Sequence, residues 1–308
     1  ESFMALATRR DCKDAVHLLT YINSQWRSNG FFNTATYDLK ALSWTSDSRN
    51  IVVQDSDLKY LLLVYSSGGE LIARYSAYEH ALGLQHMCWS PELTFLTLSS
   101  YDQQVRLMNP LNWRVFAEYD HNPTKILAHL ATNMSRVLLE TENYKEGSNS
   151  VEAMEEILKV KTDAKKKFGG VDLVRFSCDG RYMVTMLESY PCLLWVWDVI
   201  LAKLHGVVVQ KRPVRCLKFS PTNAGLFAFT GTDKIVDKAN ERIVDKVYLW
   251  HQFHGVTAVE IPSQPGADPV RYSELEFSSN GNRLCLTGKG VVHCCSFISN
   301  PESAIQSQ

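Results

Sequence analysis

Residues 87–117 read MCWSPELTFLTLSSYDQQVRLMNPLNWRVFA and contain four short apolar runs. The first run ends in an aromatic residue, Trp89, just before a Ser-Pro turn, and the other three occupy residues 93–98, 105–108 and 114–117. Runs of this length, rich in aliphatic and aromatic residues and bounded by Ser, Pro, Asp and Asn, are typical of strands joined by tight turns. The stretch therefore predicts a small antiparallel sheet of four strands.

The same unit recurs along the chain, and the aromatic residue that closes its first run measures the period. Successive aromatic residues are 45, 87, 43 and 58 residues apart. The second separation is close to two periods, and the last contains a charged stretch of 14 residues, Asp233–Lys246, without which 44 residues remain. One period of about 43 residues explains every separation. The aromatic residues are Trp44, Trp89, Phe176, Phe219 and Phe277.

A four-stranded unit of about 40–45 residues is the blade of a β-propeller, which protects its strand edges by radial repetition. The third strand of a WD-repeat blade ends in Trp-Asp, and Trp197-Asp198 matches this signature. The same place holds Tyr65-Ser66, Met108-Asn109 and Trp250-His251 in other units. The sequence predicts an all-β WD-repeat β-propeller with about six to seven four-stranded blades visible.

The repeat also divides the chain into segments. The predicted segments are WD-repeat blades at 1–119, an irregular blade with a mobile Gly-Ser-Asn loop at 120–170, further blades at 171–298 and a flexible tail at 299–308. Inside the irregular blade, Arg136–Leu139 predicts a strand, whereas Val151–Val160 fits a helix or a strand. We expect the first blade to be N-terminally truncated, with its first strand before Glu1, because residues 3–9 and 16–21 have the pattern of middle strands.

Composition excludes several classes of function. Hydrophobic residues make up 45% of the chain and charged residues 21%, as in folded globular proteins. The formal net charge is −1, so we expect no binding to nucleic acid or to an acidic membrane surface. No apolar run reaches the roughly 18 residues that a membrane-spanning helix needs. We place the protein in the cytoplasm, where its eight cysteines are expected to be reduced and packed as small hydrophobic residues.

Motifs of catalysis and metal binding are missing from the sequence. It has no Gly-x-Ser-x-Gly elbow, no His-Glu-x-x-His and no phosphate-binding Gly-x4-Gly-Lys loop. No two cysteines have the spacing of a zinc knuckle, and the neighbours Cys294 and Cys295 point to opposite faces of a strand. His251 and His254 are three residues apart at a predicted strand end, where a structural role is expected. We predict no catalytic residue, no metal and no cofactor.

Two turns are predicted to form a protein-binding surface. The turn at Arg9–Asp14 and the link at Ser76–Gly83, which leads to the next blade, should emerge at the same end of the strands. We expect Arg9, Arg10, Lys13, Tyr78 and Glu79 to contact a partner, because Arg and Tyr are favoured at interface hot spots. The alternative is that Asp11 or Asp14 and Tyr78 only brace their own turns. Reversing both arginines to Glu is expected to abolish binding without changing the melting temperature.

Secondary candidates lie on two charged segments. Lys165, Lys166 and Lys167 form the densest basic run, which either belongs to a solvated loop or contacts the acidic tails of tubulin. Lys238 and Arg242 lie in the Asp233–Lys246 insertion, whose two halves nearly repeat each other. The insertion is either a lengthened hairpin with paired arms or a partner contact.

Three segments go beyond a general WD repeat. FMALATRRDCKD at residues 3–14, LIARYSAYEHALG at 71–83 and LWVWD at 194–198 resemble the centrosomal and spindle-pole WD-repeat protein eight family, the WRAP-type WD-repeat proteins. The resemblance is collinear over nearly the whole chain. It implies a scaffold at centrosomes, spindle poles and basal bodies, with roles in anchoring microtubule minus ends, spindle assembly and ciliogenesis. It also implies a coiled-coil SSX-two-interacting (Msd-type) anchoring protein as partner, with a minus-end kinesin or tubulin as further candidates.

Two other functions remain open on the sequence. The chain could be a WD-repeat adaptor or substrate receptor in another cytoplasmic complex, which co-purification of a different set of partners would reveal. It could also be a propeller enzyme, for which a bound metal or a turnover activity would be the sign. Fold alone does not decide between them.

Overall fold

A computed structural model of the chain describes residues 2–122, 136–139, 169–210, 213–231, 235–237, 242–261, 270 and 272–297. The regular structure in these residues is entirely β-strand. The strands are β1 Ser2–Arg10, β2 Lys13–Ile22, β3 Gln25–Asn33, β4 Ala41–Trp44, β5 Asn50–Gln54, β6 Leu62–Ser66, β7 Leu71–Tyr75, β8 Leu84–Trp89, β9 Leu96–Ser100, β10 Gln104–Asn109, β11 Arg114–Asp120, β12 Arg136–Leu139, β13 Val171–Phe176, β14 Tyr182–Leu187, β15 Leu193–Asp198, β16 Lys203–Val209, β17 Val214–Phe219, β18 Leu226–Gly231, β19 Ile235–Asp237, β20 Arg242–His251, β21 Gly255–Ile261, β22 Tyr272–Phe277, β23 Arg283–Gly288 and β24 Val291–Ser296.

Within the described ranges these strands form six sheets. Their orders are β1-β2-β3, β4-β5-β6-β7, β11-β10-β9-β8, β12-β16-β15-β14-β13, β17-β18-β20-β19 with β21 also paired to β20, and β22-β23-β24. Sheets β4–β7 and β8–β11 are antiparallel meanders of four strands, the arrangement of a propeller blade. The structure confirms the predicted all-β class built from four-stranded units.

Strand ends fall where the repeat predicts them. The first strands of five units end at the five marker aromatics, as β4 does at Trp44 and β8 at Trp89. The third strands β6, β10, β15 and β20 all end at the residue pair that occupies the Trp-Asp place. A register shift also recurs just before that end, between Val64 and Tyr65, Leu107 and Met108, and Val196 and Trp197. The period in the sequence therefore reports a true structural repeat.

At Thr45 and Ser177 a hydroxyl residue directly after the first strand closes the turn to the second strand. At Ser177 the hydroxyl donates to a carboxylate oxygen of Asp179, 2.6 Å away, and accepts the backbone N–H of Tyr182 at 2.9 Å. Thr45 does the same with Asp47 and Asn50, and it is 6% exposed. Each hydroxyl thus supplies a hydrogen-bond partner to the first N–H of the second strand, which would otherwise lack one.

The described chain divides into two compact units, one formed by Glu1–His121 with Phe168–Asp172 and the other by the remaining residues. In the first unit, the central strand β5 is buried on both faces. Ile51 and Val53 pack towards β2, in a cluster with Val16, whereas Val52 packs towards β8 and β9. Successive side chains of a strand point to opposite faces, so a run of three buried residues requires a sheet on each side.

The second unit repeats this arrangement around β18. Phe227 and Phe229 pack into the cluster that contains Trp250 and residues of β14 and β15. The residue between them, Ala228, is fully buried against Leu284 and Leu286 of β23. Apolar side chains of this size contribute roughly 1.5–3 kcal/mol each when they are fully buried, so face-to-face burial of sheets is the main source of stability in both units.

Two sequence predictions concern the less regular parts. Arg136–Leu139 is a strand as predicted, and it pairs parallel to β16 at the edge of the fourth sheet. Ile235–Asp237 pairs antiparallel with Arg242–Val244, which confirms that the two arms of the insertion pair with each other. The loop at 147–150, the segment Val151–Val160 and the tail at 299–308 lie outside the described residues. An additional strand before Glu1 stays a prediction.

The turn hydroxyl gives a direct stability test. Replacing Ser177 with Ala leaves the buried N–H of Tyr182 without its side-chain partner, and we expect the free energy of unfolding to fall by about 1–3 kcal/mol. Ser279→Ala, at an exposed position in the corresponding turn before β23, is the matched control and should cost less than about 0.5 kcal/mol. Urea unfolding of both variants measures the difference. Equal midpoints would show that the hydroxyl does not fix the turn.

Candidate protein-binding site

The turn and the link that carry the predicted binding residues line one cavity of about 800 Å³. Arg9 lies at the end of β1, and Tyr78 and Glu79 lie in the link between β7 and β8. Further lining residues come from 37–38, 56–60 and 74–81, and we call this recess the tyrosine cavity. The structure thus brings three of the five predicted residues together.

The other two predicted residues lie outside the tyrosine cavity. Arg10 and Lys13 flank the tight turn between β1 and β2 and are not among the lining residues. The Arg10 side chain is 93% exposed and lies 3.8 Å from the carboxylate of Asp11. Both cations therefore extend into solvent beside the cavity and remain available to a partner that covers this end of the strands.

Tyr60 forms the base of the tyrosine cavity. Its side chain is 1% exposed, and the rings of Tyr75 and Tyr78 meet it edge-on with centroids 5.9 and 4.9 Å away. Burial raises the pKa of Tyr78 to about 12, so this phenol is neutral at physiological pH. Its hydroxyl donates to the backbone oxygen of Leu82. The Tyr78 hydroxyl therefore braces its own link, as the predicted alternative has it, while the Tyr78 ring lines the cavity.

Gly83 allows the link to cross closely over the turn that ends at Tyr60. Its N–H donates to the backbone oxygen of Asp57 at 2.7 Å, and its own oxygen accepts the N–H of Tyr101 at 3.1 Å. A Cβ at this position would lie 2.2–2.3 Å from backbone atoms of Lys59 and Tyr60. Only glycine permits this approach, which holds the two backbone segments of the cavity together.

Two buried aspartates fix the wall of the tyrosine cavity that residues 37–38 form. Asp55 is fully buried, and its carboxylate accepts the N–H groups of Tyr37 and Asp38 at 3.0 and 2.9 Å. Asp14, 3% exposed, accepts the hydroxyl of Thr36 and the N–H of Leu39, each at 2.8 Å. Hydrogen bonds to ionised acceptors are among the stronger ones in proteins, so the link between β3 and β4 is held rigidly.

A buried arginine supports Tyr60 from below. The Arg106 side chain is 7% exposed and donates to Asp102 at 2.6 Å, Glu118 at 3.1 Å and the hydroxyl of Ser100 at 3.1 Å. Its guanidinium carbon lies 5.5 Å from the Tyr60 ring centroid. The buried charge is therefore fully partnered, and it stacks on the aromatic base of the cavity.

Two cations that the sequence reasoning missed also line the tyrosine cavity. Lys59 Nζ lies 4.5 Å from the centroid of the Tyr37 ring, and Arg74 projects from β7. Neither forms a salt bridge with any part of the chain that the structure describes. Lys59 lies in a turn that follows a second strand, as the predicted turn Arg9–Asp14 does. This equivalence within the repeat could have identified Lys59 from the sequence.

The premise that Arg9 is a free exposed charge, on which its reversal was expected not to change the melting temperature, is wrong. Arg9 Nη1 donates to Asp38 and lies 3.5 Å from the carboxylate of Asp14, whose side chain is 2% exposed. A glutamate at this position would place a third carboxylate against two others, one of them buried, and would destabilise the β3–β4 link. Arg9 is a structural cation of the cavity wall, so partner binding is better tested at Arg10 and Lys13.

The remaining predicted residues add little to this site. Lys165, Lys166, Lys167 and Lys238 lie outside the described residues. Arg242 begins β20, where its backbone pairs with Asp237. The rings of His251 and His254 stack with centroids 4.8 Å apart, and no cluster of three or more His, Cys, Asp or Glu side chains suited to a metal occurs in the described ranges. No helix with the length and hydropathy of a membrane crossing occurs there either.

The prediction that the cysteines pack as small hydrophobic residues is wrong for three of the eight. Cys12, Cys178 and Cys294 are exposed, two of them in turns and one on an edge strand. Cys192 is buried, and Cys216 and Cys295 pack against a buried apolar cluster, as predicted. Cys285 and Cys294 are cross-strand neighbours with their sulfur atoms 3.8 Å apart. Desolvation and the Cys294 thiol together raise the pKa of Cys285, which keeps this thiol protonated.

Comparison with known proteins agrees with the repeat. The chain is 30% identical over 320 residues to WD repeat-containing protein WRAP73 of Mus musculus, which covers 97% of this chain. The chain is thus similar to the WRAP-type WD-repeat proteins. An uncharacterized WD repeat-containing protein of Schizosaccharomyces pombe is 24% identical over 226 residues, or 71% of this chain. No family model matches the sequence.

The chain spans 65% of the length of the mouse relative and 45% of that of the yeast relative. Similarity to WD-repeat proteins supports a non-catalytic role in protein interaction. The tyrosine cavity is the candidate place for such an interaction.

Removing the buried charge beneath Tyr60 should destabilise the first unit. Arg106→Met leaves Asp102 and Glu118 without their cation, and we expect the free energy of unfolding to fall by about 2–4 kcal/mol. Arg114→Met, at an exposed position on β11, is the matched control and should change it by less than about 0.5 kcal/mol. Urea unfolding followed by tryptophan fluorescence provides the measurement. Equal stability of the two variants would contradict the structural role of Arg106.

His121 makes the stability of this region depend on pH. Its fully buried ring donates from Nδ1 to backbone oxygens of Gln103 and Tyr119, and burial lowers its pKa to about 4. The unfolded chain binds this proton near pH 6.5, so stability is complete above that pH and falls as pH drops towards 4. We expect a loss of about 2 kcal/mol between pH 7 and pH 5 that His121→Gln does not show. Parallel pH profiles for the two proteins would contradict this assignment.

Proposed function

We propose that this chain is a non-catalytic scaffold that holds partner proteins at centrosomes, spindle poles and basal bodies. In this role it supports the anchoring of microtubule minus ends, spindle assembly and ciliogenesis. The tyrosine cavity carries the proposal that the chain binds proteins, because four separate backbone segments converge there and present arginine, lysine and tyrosine side chains. The resemblance to WRAP-type proteins of the centrosome and spindle pole supports the location.

The mechanism that we propose is presentation of a rigid surface. Asp14 and Asp55 fix one wall of the tyrosine cavity, and Gly83 fixes the crossing of the other two. A surface that is already ordered loses little conformational entropy when a partner binds, so more of the contact energy appears as affinity. The scaffold needs no metal or cofactor for this task.

The partner that we propose is a coiled-coil anchoring protein of the SSX-two-interacting (Msd) type, with a minus-end kinesin or tubulin as further candidates. The outer positions of a coiled coil are rich in charged residues, and glutamate is common among them. Arg10 and Lys13, exposed beside the cavity, are suited to pair with such a surface. The interaction takes place in the cytoplasm and involves neither nucleic acid nor a membrane.

Charge reversal at the rim tests this proposal. Full-length protein with Arg10→Glu and Lys13→Glu should co-precipitate at least about tenfold less of the coiled-coil partner, because both positions then repel acidic residues. The melting temperature should not change, since both side chains are exposed. Arg49→Glu with Arg114→Glu makes the same charge change at the other end of the strands and is the control.

The expected result is loss of binding in the first variant alone. Loss in the control variant alone would place the interface at the opposite end of the strands. Recovery of another complex without any centrosomal coiled-coil protein would refute the proposed location and leave an adaptor of a different assembly.

A further inference from the structure

We infer that the tyrosine cavity binds an extended acidic peptide segment, whose carboxylates meet Lys59 and Arg74 and whose apolar side chain packs against Tyr37 and Leu58. The inference rests on the proposed scaffold function and specifies the chemistry of the segment that enters the site. It concerns a part of the partner distinct from the coiled-coil surface that Arg10 and Lys13 would contact.

The charges of the tyrosine cavity favour an anionic ligand. Arg9 is paired with Asp38 and lies 3.5 Å from the carboxylate of Asp14. Lys59 and Arg74 have no carboxylate partner among the described residues, and both line the cavity. The lining side chains comprise three cations, Arg9, Lys59 and Arg74, and two carboxylates, Asp38 and Glu79, so one positive charge is in excess. Electrostatic attraction is less screened inside a recess than on an open surface.

The acidic residue Glu79 does not cancel this excess. Its side chain is 81% exposed, and its ion contact is with His80, 3.8 Å away and 93% exposed. A carboxylate in that position is directed towards solvent and is screened by water and salt. One positive charge in excess balances a single carboxylate, whereas a dianionic phosphate would leave one negative charge unbalanced. The site fits the single charges of Asp and Glu side chains better than a phosphorylated residue.

The path between two neighbouring cavities favours an extended segment over a helix. A helix is a straight rod about 10–12 Å across. A second cavity of about 420 Å³ shares Tyr78, Glu79 and Ala81 with the first. An extended chain can pass from one recess to the other over these shared residues, whereas a helix cannot follow this path.

Apolar surface at the rim provides the anchor. Tyr37 is 70% exposed and Leu58 is 79% exposed, and both line the tyrosine cavity. The Lys59 ammonium already lies over the Tyr37 ring, so a ligand carboxylate that pairs with Lys59 brings its neighbouring side chain against the same ring. An aromatic or leucine side chain next to an acidic residue fulfils both contacts.

Selection from a phage library of short random peptides on the full-length protein tests the inference. Enriched peptides should combine Asp or Glu with an aromatic residue or Leu. The most enriched peptide, made synthetically, should bind at least about tenfold more weakly to Lys59→Gln with Arg74→Gln, and binding should weaken as salt is raised. Arg49→Gln with Arg114→Gln is the matched control and should bind like the unaltered protein.

Several outcomes would overturn the inference. They are failure to enrich any peptide, enrichment of peptides without acidic residues, equal binding to both variants, and tighter binding when phosphoserine replaces the acidic residue. Arg74→Gln alone, at an exposed strand position, serves as a second variant if the double variant has a lowered melting temperature. It should still weaken binding measurably.

The two proposals fail in different ways. If the coiled-coil partner still co-precipitates with Lys59→Gln and Arg74→Gln but not with Arg10→Glu and Lys13→Glu, the scaffold function stands and the peptide site is refuted. If the acidic peptide binds as expected but no centrosomal coiled-coil protein co-precipitates, the peptide site stands and the proposed location is refuted.

Discussion

The rest of the structure depends on the buried hydroxyl that follows the first strand at Thr45, Ser90 and Ser177. Thr45, Ser90 and Ser177 each accept a backbone N–H from the far side of the turn. This hydrogen bond fixes where the second strand begins, and a shift of one residue would exchange the faces of every side chain in that strand. The double-sided burial of β5, with Val52 on one face and Ile51 on the other, requires this fixed start.

Because the first-to-second turns fix the strands at one end, the loops at the other end can differ from one unit to the next. The second-to-third turns and the links to the next sheet meet there, and in the first unit they form the tyrosine cavity. Its walls are held by polar groups rather than by apolar packing: Asp14 and Asp55 hold one link, and Gly83 joins another to its neighbouring turn. Buried carboxylates and a close glycine contact give these loops a rigidity that loops without such anchors lack.

The sequence predicts structural features that recur in every unit, but it does not predict contacts that occur only once. The aromatic residue and hydroxyl at the end of each first strand recur every 43 residues or so, and strand ends such as Trp44 and Trp197-Asp198 were therefore located to the residue. The ion pair of Arg9 with Asp38 spans 29 residues between two different units of the repeat, and no local pattern reports it. Without this contact, the local sequence around Arg9 predicts a free surface charge.

The cavity cations and the cysteine pair were missed for related reasons. Lys59 and Arg74 line one cavity because a turn and a fourth strand converge, which depends on three-dimensional packing rather than on spacing. The proximity of Cys285 and Cys294 follows from the register of β23 with β24, which the sequence alone does not define. Arg10, Lys13, Tyr78 and Glu79 were placed at the correct end of the strands because that step used only strand order.

Hydrogen exchange of the full-length protein, with and without its bound partner, is the most direct test of where this protein binds. The account predicts that binding slows exchange at residues 37–38, 56–60 and 76–83, the backbone segments of the tyrosine cavity. The first-to-second turns at residues 45–49 and 90–94, at the other end of the same strands, should exchange at unchanged rates. Slowed exchange at those turns with no change around the cavity would contradict the account.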